Sequence, residues 1–213
     1  MTIQRSAKAE YTRERILEVA GEEMRRVGYR AMGLNDILHK LRMSKGALYH
    51  HFRNKLELGY AVLDELYAKS FLKTWDSPLD RDDPLQAIIS YLQAMSENMS
   101  DDMLSCGCPI NNLANEMSNL DEGFRLRVEG LFERWKARMT SAFARAQKNG
   151  FMREDVDAED TAVFVIAAVQ GAIMLAKNAQ DASIFSQATQ SVSTYLSGLQ
   201  TQAGKASVKS RNH

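Results

Sequence analysis

From Phe124 onward the apolar residues return at steps of 4, 3, 4, 4, 3 and 4, through Val128, Leu131, Trp135, Met139 and Ala142 to Ala146. Only a helical period of about 3.6 residues puts such a series on one face. A half-buried strand needs alternation at every second residue, and this chain hardly offers it. The 213 residues hold three prolines, at 78, 84 and 109, so long stretches are free of helix breakers. The expected class is all-α.

The same period recurs in Ile16, Leu17, Ala20, Met24 and Val27, which predicts a first helix over about 12–27 with Gly28 as its stop. Short helices follow over 34–41 and 45–51, the second with Ser44 as N-cap. A longer helix runs from about 55 to 75, another over 85–99, and a third over 110–117 with Pro109 at its first position. The long helix after Asp121 ends at Asn149-Gly150. Asp157 caps an apolar helix over 158–179, and a last helix covers 183–199. Ser77-Pro78 to Asp83-Pro84 reads as the clearest loop, and residues 1–10 and 201–213 read as polar, loose tails. The expected organisation is a three-helix head over 1–54, a body of about six helices over 55–200 and a flexible tail over 201–213.

Whole-chain charge is zero, with 27 basic and 27 acidic residues, but the charge is unevenly spread. Residues 1–60 hold twelve Lys/Arg against seven Asp/Glu, whereas 61–200 hold twelve against twenty. A basic head on an acidic body suits a polyanionic partner for the head. A hydrophobic content of 45% is that of a globular chain. No apolar run approaches the roughly 20 residues of a membrane span, and the first residues lack the apolar core of a secretory signal. No membrane partner is expected. Cys106 and Cys108, the only cysteines, exclude a disulfide framework and fit a reducing cytoplasm.

Two short helices joined by Arg42-Met43-Ser44 form a helix-turn-helix pattern. The second helix opens with Lys45, Gly46 and Ala47, a slim polar start suited to the major groove of double-stranded DNA. Lys45 and Lys55 can neutralise phosphates, the hydroxyls of Ser44 and Tyr49 can bind phosphate oxygens, and His50 and His51 add donors. A three-helix bundle with a merely solvated charged face would show much of the same pattern.

The residues Gly28-Tyr29 through Asp36-Ile37, then Met43-Ser44-Lys45-Gly46-Ala47-Leu48-Tyr49-His50-His51-Phe52 and Lys55, closely resemble the DNA-binding head of the TetR (tetracycline-repressor) family. That resemblance implies a homodimeric helical regulator with a ligand-binding C-terminal body. It implies that Lys45, Tyr49 and His50 touch DNA, that Phe52 locks the head, and that Lys55 starts the next helix near a phosphate. Two positions depart from the pattern. Arg42 stands where glycine is usual, at a cost of about 1 kcal/mol if the backbone is left-handed there, and it adds a cation for phosphate. Gly33 stands where threonine is common.

In the body, Gly107-Cys108-Pro109-Ile110-Asn111-Asn112-Leu113-Ala114-Asn115-Glu116-Met117 resembles the subgroup that contains the N-ethylmaleimide-reductase repressor. There the matching cysteine senses electrophiles, which makes Cys108 the sensor candidate. A thiol at a helix start is also favoured as thiolate by the unpaired N–H groups, and an inert, packed cysteine is the plainer alternative. Met95, Met99 and Met103 lie four residues apart as one soft stripe, either core or a wall that adapts to ligands. Asn111, Met117, Trp135, Phe164, Gln170 and Met174 are expected to line the same space. The small residues Ala167, Ala168, Gly171 and Ala172 are expected to form the dimer face, with complete burial inside one subunit as the alternative.

Taken together these features predict a transcriptional regulator released from a palindromic operator by a small hydrophobic or electrophilic ligand. A DNA-binding dimer with no small-molecule input is the alternative. No nucleophile–base pair, phosphate-cradling loop or metal constellation stands out, so neither an enzyme, a cofactor nor a metal is expected.

Overall fold

The computed structural model describes residues 2–202, and the expected tail from 203 onward lies outside the described residues. Among them the chain forms α1 (Thr2–Val27), α2 (Leu34–Leu41), α3 (Lys45–His51), α4 (Lys55–Ala61), a π-helical segment (Val62–Tyr67), α5 (Ala68–Leu79), α6 (Pro84–Glu97), α7 (Asp101–Cys106), α8 (Pro109–Met117), α9 (Glu122–Lys148), α10 (Ala158–Ala179) and α11 (Ala182–Leu199). One isolated bridge pairs Met152 with Gln200. The described residues gather into two compact units, one of residues 2–71 and 109–129, the other of 72–108 and 130–202.

In the first unit, α1 starts at Thr2 rather than near Thr12. Residues 7–10 are Ala, Lys, Ala and Glu, all good helix formers. The Thr12 hydroxyl donates to the Lys8 carbonyl at 2.8 Å within the helix instead of capping its start. Gly28, at φ +84°, ends α1, and its N–H reaches the Met24 carbonyl at 3.0 Å. Ile16, Ala20, Met24, Ile37, Leu48, Phe52 and Leu58 are all buried in this unit. Where an unbroken helix was expected, the segment Val62–Tyr67 is π-helical. The extra residue per turn keeps Val62, Leu63 and Tyr67 all buried. The Tyr67 hydroxyl donates to the Gly21 carbonyl at 2.5 Å.

In the second unit the expected loop from Ser77 is shorter, because α5 continues through Pro78 to Leu79. Tertiary anchoring offsets the donor that proline lacks. Pro78 and Leu79 are buried, Arg145 donates to the Leu79 carbonyl at 2.6 Å, and Arg138 holds both Asp76 and Asp80. Asp83 caps α6 by accepting from the Gln86 N–H at 3.1 Å, with Pro84 at the first position. The helix stops at Glu97, and Ser100 caps the unexpected α7 by accepting from the Met103 N–H at 3.1 Å. Met95 and Met103 therefore sit on different helices, with Met99 between them, and the three do not form one stripe.

Trp135 is fully buried, with Trp75 at 4.7 Å and Phe132 at 6.4 Å between ring centroids, and Tyr91 lies 5.1 Å from Trp75. Asp157 caps α10, accepting from the Asp160 N–H at 2.8 Å. By length and composition α10 is apolar enough to cross a membrane, contrary to the expectation. Its inner residues, among them Val165, Val169, Ile173 and Ala176, are nonetheless buried in this unit, where α10 packs on α11 and α7.

Candidate DNA-binding surface, ligand site and dimer face

The turn before α3 is built by Arg42, whose φ of 51° and ψ of 44° are left-handed. Its N–H bonds to the His39 carbonyl, and that of Met43 to the Leu38 carbonyl, closing the end of α2. Ser44 then caps α3, its hydroxyl accepting from the Ala47 N–H at 3.3 Å. Within α3 the 3.6-residue period sends Leu48 inward, and Phe52 follows it, each 1% exposed. The same period turns Lys45, Gly46, Ala47, Tyr49 and His50 outward, beside the exposed Arg42 and Ser44. The Lys45 ammonium lies 5.8 Å from the Tyr49 ring centroid. No atom comes within 4 Å of a Cβ placed on Gly46, so this surface is open to a bulky partner.

Two of the expected contact residues, His51 and Lys55, are half-buried rather than exposed. Burial first, then the charges of His50 and Arg13, hold the His51 imidazole below the usual value. Lys55 donates to the Arg30 carbonyl at 2.9 Å and lies 4.9 Å from the Tyr29 ring centroid. Burial lowers its pKa, opposed by Glu116. Its ammonium serves the α1–α2 turn.

Sequence reasoning missed two carboxylates in this unit. Glu23, 2% exposed, receives the Lys40 ammonium at 2.5 Å and the Arg26 guanidinium at 3.0 Å, tying α1 to α2. Those hydrogen bonds, Arg26 first, hold its carboxyl below the usual carboxylate range. The signal was available, since Glu23 sits three residues after Ala20 and four before Val27 on the apolar face of α1. Glu116 on α8 accepts from the backbone N–H groups of Tyr29 at 2.9 Å and Arg30 at 2.8 Å. Nothing local marks that pairing.

The expected ligand residues are divided between the two compact units. Asn111 and Met117 belong to the first compact unit, and the remainder to the second. Phe164 and Met174, each 46% exposed, lie on the outer side of α10, and Phe164 packs 4.6 Å from the Tyr195 ring. Met95, Met99 and Met103 are half-buried. Gln170 is buried, and its Oε1 has no hydrogen-bond partner among the described residues; the same holds for the Thr140 hydroxyl. A groove of about 480 Å³ opens between α6 and α11, lined by Gln93, Ser96, Ser186, Gln190, Thr194 and others, and it uses none of the expected residues.

Cys108 is 6% exposed directly before Pro109, whereas Cys106 is half-buried. The Cys106 sulfur lies 3.7 Å from the Ser105 hydroxyl and 4.0 Å from an Asp102 oxygen. The more accessible thiol is thus Cys106, the reverse of what an electrophile sensor at Cys108 would need. Gly107 between them adopts φ +70°, and a Cβ there would come within 2.9 Å of the Lys177 chain.

On α10, Val163, Phe164, Met174 and Leu175 are between 46% and 51% exposed. Ala167 joins this face, and Gly171 has nothing within 4 Å of a Cβ position. Ala172, expected on the dimer face, is 2% exposed and faces the subunit core. Gly171 is turned about 100° from it round the helix, whereas Ala168, one turn back and only about 40° away, is half-buried at the edge of the same inner side.

Two family models match the chain: bacterial regulatory proteins of the tetR family over residues 16–62, and the C-terminal domain of LmrA/YxaF-like transcriptional regulators over residues 84–191. The transcriptional regulator AcuR of Cereibacter sphaeroides is 31% identical over 171 residues, covering 79% of this chain and 78% of AcuR. The transcriptional repressor NemR of Escherichia coli is 26% identical over 119 residues, 55% of this chain and 60% of NemR. The crystal structure of a TetR transcriptional regulator from Chloroflexus aurantiacus, 27% identical, aligns with a TM-score of 0.80 over 91% of this chain and 98% of that one.

Proposed function

The chain belongs to the TetR family of bacterial transcriptional regulators, and on that premise we propose that it is a cytoplasmic, non-enzymatic homodimer that represses transcription from a palindromic operator and leaves it when a small molecule binds the body. The outward face of α3 carries this reading: Lys45, Gly46, Ala47, Tyr49 and His50 with Arg42 and Ser44 beside them, held by Leu48 and Phe52 beneath. Such a helix start is narrow enough for the major groove, and Arg42 and Lys45 supply cations for the flanking phosphates. Repression is supported by NemR, itself a repressor.

The exposed apolar residues of α10, Val163, Phe164, Met174 and Leu175 around Ala167 and Gly171, support a second copy as the covering partner. The ligand is read from Gln170 and Thr140. A buried carbonyl oxygen and hydroxyl without partners among the described residues favour a mostly apolar molecule that carries a hydrogen-bond donor. Such a ligand acts by binding the DNA-incompetent dimer better than the DNA-bound one. The reading with no inducer makes no use of these two atoms.

Selection of bound duplexes from a random library, followed by mobility shifts across a salt series, tests the function. The parent enriches a palindrome with half-sites one or more helical turns apart. Lys45→Ala and Tyr49→Ala weaken binding, and Lys45→Ala also lowers the salt slope by about one ion. Unchanged binding in both variants refutes α3 as the docking helix.

A further inference from the structure

We propose that Glu116 is a positioning residue for operator recognition: by gripping the α1–α2 turn it fixes the DNA-binding head to α8, and so sets the half-site spacing that the dimer accepts. The proposal rests on the operator-binding function argued above.

The grip uses both carboxylate oxygens. Oε2 accepts from the Tyr29 N–H at 2.9 Å and Oε1 from the Arg30 N–H at 2.8 Å. Tyr29 and Arg30 follow Gly28, whose left-handed φ of +84° ends the helical ladder and turns successive N–H groups toward one point. Two consecutive amides aimed together make a concave anion seat, and a carboxylate fills it with charge-assisted hydrogen bonds. Gly28 is needed twice. Its φ disfavours any side chain, and a Cβ there would stand 2.9 Å from Oε2 and 3.1 Å from Oε1.

The turn is also held from its other sides. The Arg30 carbonyl takes the Lys55 ammonium of α4 at 2.9 Å. The Tyr29 ring packs 4.7 Å from Phe124 of α9, and a Cβ on Gly59 would come within 2.5 Å of that ring. The turn leads within four residues to α2 and through Arg42 to α3.

Glu116 is the hold that reaches the backbone of the turn from a helix beginning at the boundary of the two units. Pro109 opens α8, and the first compact unit resumes at that residue after the second unit's segment ends at Cys108. Tyr29 and Glu116 are 87 residues apart, and the fold spends a half-buried carboxylate on joining them. A turn that needed only closing would use a local cap. The grip ties the turn between α1 and α2, and with it the helices that follow, to Pro109–Met117.

The test uses the full-length protein and the palindrome selected by the parent. Affinity is measured by fluorescence anisotropy for that duplex and for one with a base pair inserted at its centre, which shifts the half-sites by about 3.4 Å. The parent prefers the uninterrupted palindrome. Glu116→Ala loses at least tenfold of that preference while its salt slope, set by phosphate contacts, stays at the parent's value. Glu116→Gln, which can accept only one of the two amides, falls between them. Hydrogen exchange at the Tyr29 and Arg30 amides speeds up in both variants.

A variant that keeps the parent's preference, or that loses affinity for both duplexes by the same factor, overturns the proposal and leaves Glu116 as a stabilising contact. If Glu116→Ala does not melt cooperatively, Glu116→Gln decides by the same ratio. A parent that selects no palindrome overturns the operator reading itself, and the proposal with it.

Discussion

Replacing Arg42 with glycine separates two roles that the residue carries at once. Its backbone, at φ 51° and ψ 44°, lies in the left-handed region, where a residue with a Cβ is disfavoured by about 1–2 kcal/mol. Glycine removes that cost but returns roughly 0.5–1 kcal/mol through its freer unfolded chain. The net expectation is a gain of about 0.5–1 kcal/mol, which for a chain of this size raises the melting temperature by roughly 1–4 °C. Arg42→Ala is the control, because it removes the same charge and keeps the backbone cost. Urea and thermal unfolding of the three proteins should place the glycine variant above both the parent and the alanine variant. Operator titrations across salt should show the opposite grouping, with both variants losing affinity and about one ion of salt slope if the guanidinium meets a phosphate. Equal stability of the alanine and glycine variants would refute the strain. A parent-like salt slope in both would remove Arg42 from the DNA surface.

Glu23→Gln should destabilise the head by about 1–3 kcal/mol, since Lys40 and Arg26 are partly exposed and can recover water. The Glu23 carboxyl is held low when folded, so its contribution is complete above the usual carboxylate range and fades as pH falls through the folded value. Unfolding midpoints from pH 7 to 3 should therefore converge for parent and variant, and a constant gap would contradict the ion cluster. Gly171→Leu has open space around its Cβ within the subunit, so the monomer should melt no lower than the parent and gain up to about 0.5–1 kcal/mol of helix propensity. Sedimentation should show a dimer weakened by about 1–3 kcal/mol of overpacking, and an unchanged dimer would place the interface elsewhere. Intact-mass labelling of single-cysteine variants with a maleimide should modify Cys106 before the more buried Cys108. Faster labelling of Cys108 would mean that its turn opens in solution.

What the sequence by itself determined is what short-range geometry controls. Phe124, Val128, Leu131, Trp135, Met139, Ala142 and Ala146 are each at most 3% exposed on α9, because a helical period decides which residues share a face. Ser44 and Asp157 cap where expected, because each side chain bonds to an N–H three residues away. The order Arg42, Ser44, Lys45, Tyr49, with Leu48 and Phe52 inward, follows from the same arithmetic. The tertiary structure decided the rest. Pro78 lies inside α5, whose end is held by Arg138 and Arg145, some 60 residues away. On α10 the apolar residues surround the helix, so no polar face sets its phase. Packing on α11 and α7 alone turned Ala172 inward and Phe164 and Met174 outward. Glu116 had no local partner in the sequence, since the amides that it binds converge only once Gly28 ends α1 and α8 returns beside the turn. Local periods are written within a few residues, but a hydrogen bond across 87 positions exists only after the chain has folded back on itself.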